Sequence, residues 1–393
     1  MAYAARFPAR AGADLGIATL RALLSAHTAE DVAEAFGRWV DPVNRLLTAD
    51  DRGTVLSLTV GRVPATGSDA RRLARDAWCP GADDVAWHPL PTARSVTDHH
   101  VDANERPDDP SLALGHAYAP AHRATRIDGL LAELVRDGRC LEVVDMAAVH
   151  GDTVALGADA LLRHLPDPAD PQLTPEARRL AADLSAWDRR MDADSTKAAS
   201  YAAWRNALVR RVASLPALAP LYEPHGIDAV YAPWLDVRAR IGDGLLALLD
   251  GHGAAATLGI ESGALTREAL KEVARGPEPR TWGDTHRLEP IRVLAGVPGA
   301  SFAMIPRARL SGDTDTVRAT ASTPGVTDAC WRGSVARWIW DLSDRSASRW
   351  GVPFGAAGDS TSPHAADQLD TWLAAGTVPV VTAWDALTQE ELP

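Results

Sequence analysis

The chain has 393 residues, 46% of them hydrophobic, enough to bury a sizeable core and to exclude a disordered polymer. A formal net charge of -12 excludes a nucleic-acid groove or an anionic membrane surface as the main partner. No apolar run is long enough to span a membrane, and Met1–Pro8 lacks the apolar core of a signal peptide, so a cytoplasmic location is the default expectation.

Two amphipathic helices are expected first. One covers 14–24, with Asp14 as N-cap before Leu15, Leu20, Leu23 and Leu24; the other covers 28–40, with Thr28 as cap, Asp31 completing a capping box, and Val32, Phe36 and Val40 on one face. Asn44 follows, at a passage from helix to strand and at an expected buried edge. The run 54–60 alternates Leu56, Leu58 and Val60 against Ser57 and Thr59, which predicts a half-buried strand entered through a turn at Asp51-Arg52-Gly53.

Residues 66–125 are rich in Pro, Gly, Asp and His and read as long ordered loops with short strands, anchored by Trp78, Trp87 and Tyr118. Helices are expected at 123–136, at 174–190 (Thr174 cap, Pro175 first, then Leu180, Leu184 and Trp187) and at about 195–215 (Tyr201, Trp204, Leu208, Val212 and Leu215). Runs such as Trp282–Leu288 and Ser301–Ile305 read as strands and connections. The expected organisation is one domain over 1–393: helices plus a core strand to 65, a loop-rich part over 66–125, a helical part over 126–280, and a strand-rich part over 281–393. Helices packed on a sheet, an α+β fold, is what the elements imply.

Several constellations could carry chemistry. An asparagine at the start of a strand can donate its amide to a developing oxyanion, or can merely close a turn. Asp98-His99-His100-Val101-Asp102 suits either a solvated loop or a metal, but adjacent histidines in an extended segment point to opposite sides. Gly358-Asp359-Ser360-Thr361-Ser362-Pro363-His364 lacks the final glycine of a nucleophile elbow. Gly242-Asp243-Gly244 lacks the completing glycine of a dinucleotide loop. Nothing beside Cys79 would lower its pKa, and Cys79, Cys140 and Cys330 are too dispersed to argue a disulfide framework or a zinc spacing. No cofactor and no metal site is assigned.

Pro42-Val43-Asn44, Ala49-Asp50, Gly53 and Gly61-Arg62-Val63-Pro64 together resemble the penicillin acylase family of N-terminal-nucleophile hydrolases. The resemblance continues through Ala103–Pro107, Gly115–Ile127, Trp187–Ser195, Trp282–Arg287, Gly312–Val317, Gly358–Gln368 and Trp372. It implies an αββα sandwich portion and amidase or acylase chemistry on a linear C–N amide bond. In such enzymes the freed N-terminal serine of the large subunit attacks, with its own amine as base. Asn44 matches the family's oxyanion asparagine, whose donor is worth about 3 kcal/mol of barrier. Asp50 is a conceivable contributor to the family's structural calcium.

Two departures shape the expectation. Only 43 residues precede Asn44, and neither Met1 nor Ala2 is a nucleophile, so the chain corresponds to the C-terminal part of the large subunit. It is then inactive alone and forms a hetero-oligomer with a protein carrying the small subunit and the nucleophile. Thr66 stands where the resemblance places an arginine, which leaves open a non-catalytic binding or scaffold subunit.

Overall fold

The computed structural model describes residues 7–65, 78, 86–108, 114–115, 117–136, 138–224, 226–228, 231–251, 253–277, 280–291, 297–298 and 305–389. Thr66 and Cys79 lie outside them, as do 301–304 of the expected Ser301–Ile305 strand. The architecture is mixed helix and sheet, in two compact units, Met1–Ala124 and Thr125–Pro393.

The first unit opens with helices α1 (Pro8–Ala11), α2 (Ala18–Leu23) and α3 (Ala29–Phe36). The capping box predicts where α3 starts. The Thr28 hydroxyl accepts the Asp31 N–H at 3.0 Å, while Asp31 takes the N–H of Thr28 at 3.0 Å and of His27 at 2.9 Å. The helix stops at Phe36 with Gly37 as its C-cap, short of the expected residue 40. The helix expected over 14–24 is only Ala18–Leu23, because the Asp14 carboxylate takes the N–H of Gly16 at 2.8 Å and holds a turn where Gly16 has φ +70°.

Asn44 does not merely precede a strand. It opens β1 (Asn44–Ala49), which pairs antiparallel with β2 (Val55–Val60), Asn44 opposite Val60 and Ala49 opposite Val55. The sequence reading missed β1 because only Thr48 in it is buried, so no clean alternation marks it. The tight return at the far end needs a glycine. Gly61 sits at φ +114°, and a Cβ there would meet the Val43 Cα at 2.8 Å. A two-residue strand β3 (Arg94–Ser95) completes the sheet on the other side of β2.

The boundary between the units falls in α4 (His122–Leu134). The second unit continues with α5 (Val143–His150), α6 (Leu156–Leu162), α7 (Pro175–Ser185) and α8 (Thr196–Ala213). After α9 (Ala232–Leu235) come α10 (Val237–Leu249), α11 (Ser262–Arg275) and α12 (Trp282–Thr285). Helix α8 is the axis of the core: α7, α10, α11 and α12 all pack on it, and its Trp204, Leu208, Val209 and Val212 are fully buried. The stripe expected over 195–215 is therefore the core stripe of this unit.

Helix α7 begins at the expected cap, where Thr174 accepts the Ala177 N–H at 3.3 Å, but ends at Ser185 rather than 190. Trp187 is buried from the loop beyond it, where Arg189 adopts φ +66°. Trp282–Leu288 is not a strand at its start. The Thr281–Asp284 capping box turns Trp282–Thr285 into helix, and Trp282 is fully buried. Beyond it lie a two-stranded sheet, β4 (Thr320–Thr323) with β5 (Thr327–Gly333), and a three-stranded one, β6 (Arg337–Ile339), β7 (Arg349–Gly351) and β8 (Val378–Pro379), with α13 (Leu369–Leu373) between β7 and β8 in sequence.

Candidate active-site strand

Asn44 is exposed rather than at a buried edge. Its Nδ2 donates to the Pro42 carbonyl at 3.4 Å, a long bond to an oxygen that already takes the Trp39 indole N–H at 2.7 Å. The amide is thus held loosely, by a carbonyl better satisfied without it. An asparagine so placed can turn its N–H groups onto another acceptor at little cost.

The next residue is held firmly. Arg45 Nε lies 3.0 Å from Asp102 Oδ2, and its Nη1 reaches Glu105 Oε1 at 3.4 Å while Nη2 donates to the Glu105 carbonyl. Glu105 Oε2 in turn accepts the Ala103 N–H at 2.8 Å, and Arg123 donates to the Ala103 carbonyl at 2.6 Å and to Asn104 Oδ1 at 3.0 Å. This lattice pins the 102–105 loop to β1. Strand alternation puts Arg45, Ser57 and Thr59 on one face of the sheet and Asn44 on the other. Against the Arg45 face lies a cleft of about 300 Å³, lined among others by Ser57, Thr59, Arg94, Asp98 and His100.

The histidine cluster divides as an extended segment must. His99 Nδ1 lies 3.2 Å from Asp98 Oδ2, while His100 Nε2 lies 3.3 Å from the Ser57 hydroxyl. Among the described residues no group of three metal-ligating side chains is gathered. Asp50 is committed to the hairpin. Its Oδ1 accepts the N–H groups of Arg52 and Thr54 at 3.0 Å each, and its Oδ2 that of Ala29 at 3.1 Å, which also lowers its pKa. A carboxylate so occupied does not fit a calcium ligand.

The other candidates fall into structural roles. The Ser362 hydroxyl accepts the His364 N–H at 3.1 Å and caps a short 3-10 turn, and the His364 ring pairs with Asp367 at 2.7 Å. Gly242-Asp243-Gly244 lies inside α10, so it makes no phosphate-cradling turn. Cys330 is a buried free thiol whose pKa burial pushes up to about 11, and Cys140 is exposed and free.

Sequence reasoning did not find the Arg205–Asp313 pair, with Nη1 to Oδ2 at 2.5 Å and Asp313 nearly fully buried. Burial opposes both charges, but each holds the other ionised: Arg205 is raised and Asp313 lowered. Next to it His286 is fully buried, stacked 4.4 Å from Trp282, with Nδ1 on the Asp328 carbonyl at 2.7 Å and Nε2 on the Thr320 hydroxyl at 3.0 Å. Burial lowers its pKa, so the ring is neutral. The signal in the sequence was present: His286 and Asp313 both lie in segments that carry the resemblance.

The family model for penicillin amidase matches residues 1–389, and the chain belongs to the penicillin amidase family. It is 30% identical over 385 residues to the penicillin acylase 2 proenzyme of Pseudomonas sp. (strain SE83), covering 96% of this chain and 49% of that protein. The chain thus spans about half the length of that relative. In fold it is similar to a thermostable penicillin G acylase from Alcaligenes faecalis, with a TM-score of 0.53 at 14% identity over 96% of this chain and 72% of that one.

Proposed function

We propose that this chain is the oxyanion-bearing part of a penicillin-acylase-type amidohydrolase or acyltransferase that acts on a linear C–N amide bond. A partner polypeptide with the small subunit supplies the N-terminal serine, and the two together build an αββα sandwich. The serine hydroxyl adds to the amide carbonyl as its proton passes to the serine's own α-amine. Asn44 Nδ2 leaves the Pro42 carbonyl and donates to the tetrahedral oxyanion. The amine departs with the proton, and water or a second amine takes the acyl group from the ester.

The observation that carries this reading is Asn44 itself: an exposed, loosely held amide at the first residue of a strand, within a family match that runs through residue 389. The test is amide hydrolysis by the chain alone and after co-expression with a neighbouring gene product that has an internal autoprocessing serine. No turnover alone and turnover together is the expected pair of results. Hydrolysis of an aryl or acyl amide by the isolated chain overturns the reading.

One residue favours a second reading, a binding or scaffold subunit without turnover. Thr66 carries no positive charge where the resemblance places an arginine. A complex that forms but stays inactive selects this alternative.

A further inference from the structure

Within the second unit, the end of α5, the start of β6 and the end of α13 bring together three nitrogen-bearing side chains that the amidase reading does not use. Helix α5 ends in His150 and packs on β6, which begins with Arg337. A Cβ on the next residue, Gly151, would lie 3.6 Å from the Ala375 side chain, just past α13. Arg337 is 4% exposed, donates Nη1 to the Trp372 carbonyl at 3.0 Å, and lies 5.1 Å from the centroid of the Trp372 ring. Arg318 donates Nη2 to the adjoining carbonyl, that of Leu373.

These contacts leave charge and donors over. The two carbonyls end α13 and take one hydrogen bond from each arginine, which offsets part of the desolvation. Arg318 Nε and His150 Nδ1 are both out of contact with solvent and, among the described residues, have no hydrogen-bond partner. The nearby carboxylates are committed elsewhere. Asp152, whose carbonyl accepts the Arg318 N–H, is gripped by Arg126 at 2.9 and 2.7 Å, and Asp192, which favours the Arg318 charge from a distance, accepts from Thr153 at 2.6 Å. Burial accordingly pulls Arg337 down to about 10, with Arg318 repelling it, and lowers Arg318. A buried guanidinium without counter-charge is strongly unfavourable, which an anion would relieve.

We propose that Arg318, Arg337 and His150 form a binding site for one small inorganic anion of chloride size. Arg318 Nε donates to it, Arg337 supplies the second positive charge, and His150 donates from Nδ1 in the tautomer that carries its proton there. The enclosure of both donor atoms favours an ion of one or a few atoms over an organic ligand. The site involves no residue of the Asn44 strand, so it stands whether or not the chain takes part in amide hydrolysis.

The probe is chloride itself, exchanged for gluconate at constant ionic strength with the purified full chain. The thermal midpoint is expected to rise saturably with chloride, and the chlorine NMR line to broaden in the protein's presence. Arg318→Met is expected to weaken chloride about tenfold or more, the worth of one charged hydrogen bond. Arg318→Lys should keep part of the response. Should Arg318→Met fail to fold, His150→Phe keeps the ring volume while removing the Nδ1 donor, and it too is expected to lose affinity. No difference between chloride and gluconate in the wild type, or an undiminished response in the folded variants, overturns the site.

Discussion

The unit that carries Asn44 and the unit built on α8 differ in how far they remove side chains from water. In β1 and β2 only Thr48 and Val60 are buried, and Leu47 is 44% exposed. In α8 one whole face is buried, with Trp204 and Leu208 at its centre. Burial of large side chains is the main source of stability, so the helical unit has the more strongly held core of the two. The loose amide of Asn44 belongs on the less buried side: an amide sealed in a core would have its partners fixed.

Breaking the buried pair in the helical unit gives the largest expected effect. Arg205→Met leaves the buried Asp313 without its guanidinium partner, and should cost about 3–5 kcal/mol, read as a fall in the urea midpoint of the α8 unit. Nearly as large, but in rate rather than stability, is Asn44→Ala in the proposed complex with the nucleophile-bearing partner. It should lower kcat by about a hundred- to a thousandfold, while the melting temperature of the chain barely moves. A stability loss in that variant comparable to Arg205→Met would erase the contrast between the units.

Burial holds the His286 ring below its ordinary pKa of 6.5, so the unfolded chain takes up a proton there before the folded one does. Stability is fully present above about pH 6.5 and is lost as pH falls from there through the folded value; His150, also lowered by burial, adds to the same slope. His286→Phe should flatten that slope in thermal melts taken between pH 7 and pH 5, conditions set around the His286 ordinary value. The smallest effect is Thr28→Ala, which removes the α3 cap and should cost about 1 kcal/mol, confined to the first unit in hydrogen exchange.

Sequence reading was most accurate where local chemistry decides the outcome. The Thr28 and Thr174 caps place the starts of α3 and α7, the alternation through Leu56 and Leu58 places β2, and the Trp204–Leu208–Val212 spacing places the core helix. It failed where tertiary pairing decides and where a local cap went unread. Strand β1 has no alternation of its own and exists because β2 pairs with it, while Trp282 reads as strand-like until Asp284 closes a capping box. Asn44 was legible as a candidate; its exposure and its weak bond to Pro42, whose carbonyl also takes the Trp39 indole N–H, were not.

The role proposed for Asn44 is tested by comparing the isolated chain, its complex with the nucleophile-bearing partner, and the same complex with Asn44→Ala, all on one aryl amide. No turnover is expected in the first, turnover in the second, and about a hundred- to a thousandfold lower kcat in the third. Turnover by the isolated chain, or a complex indifferent to Asn44→Ala, would contradict it.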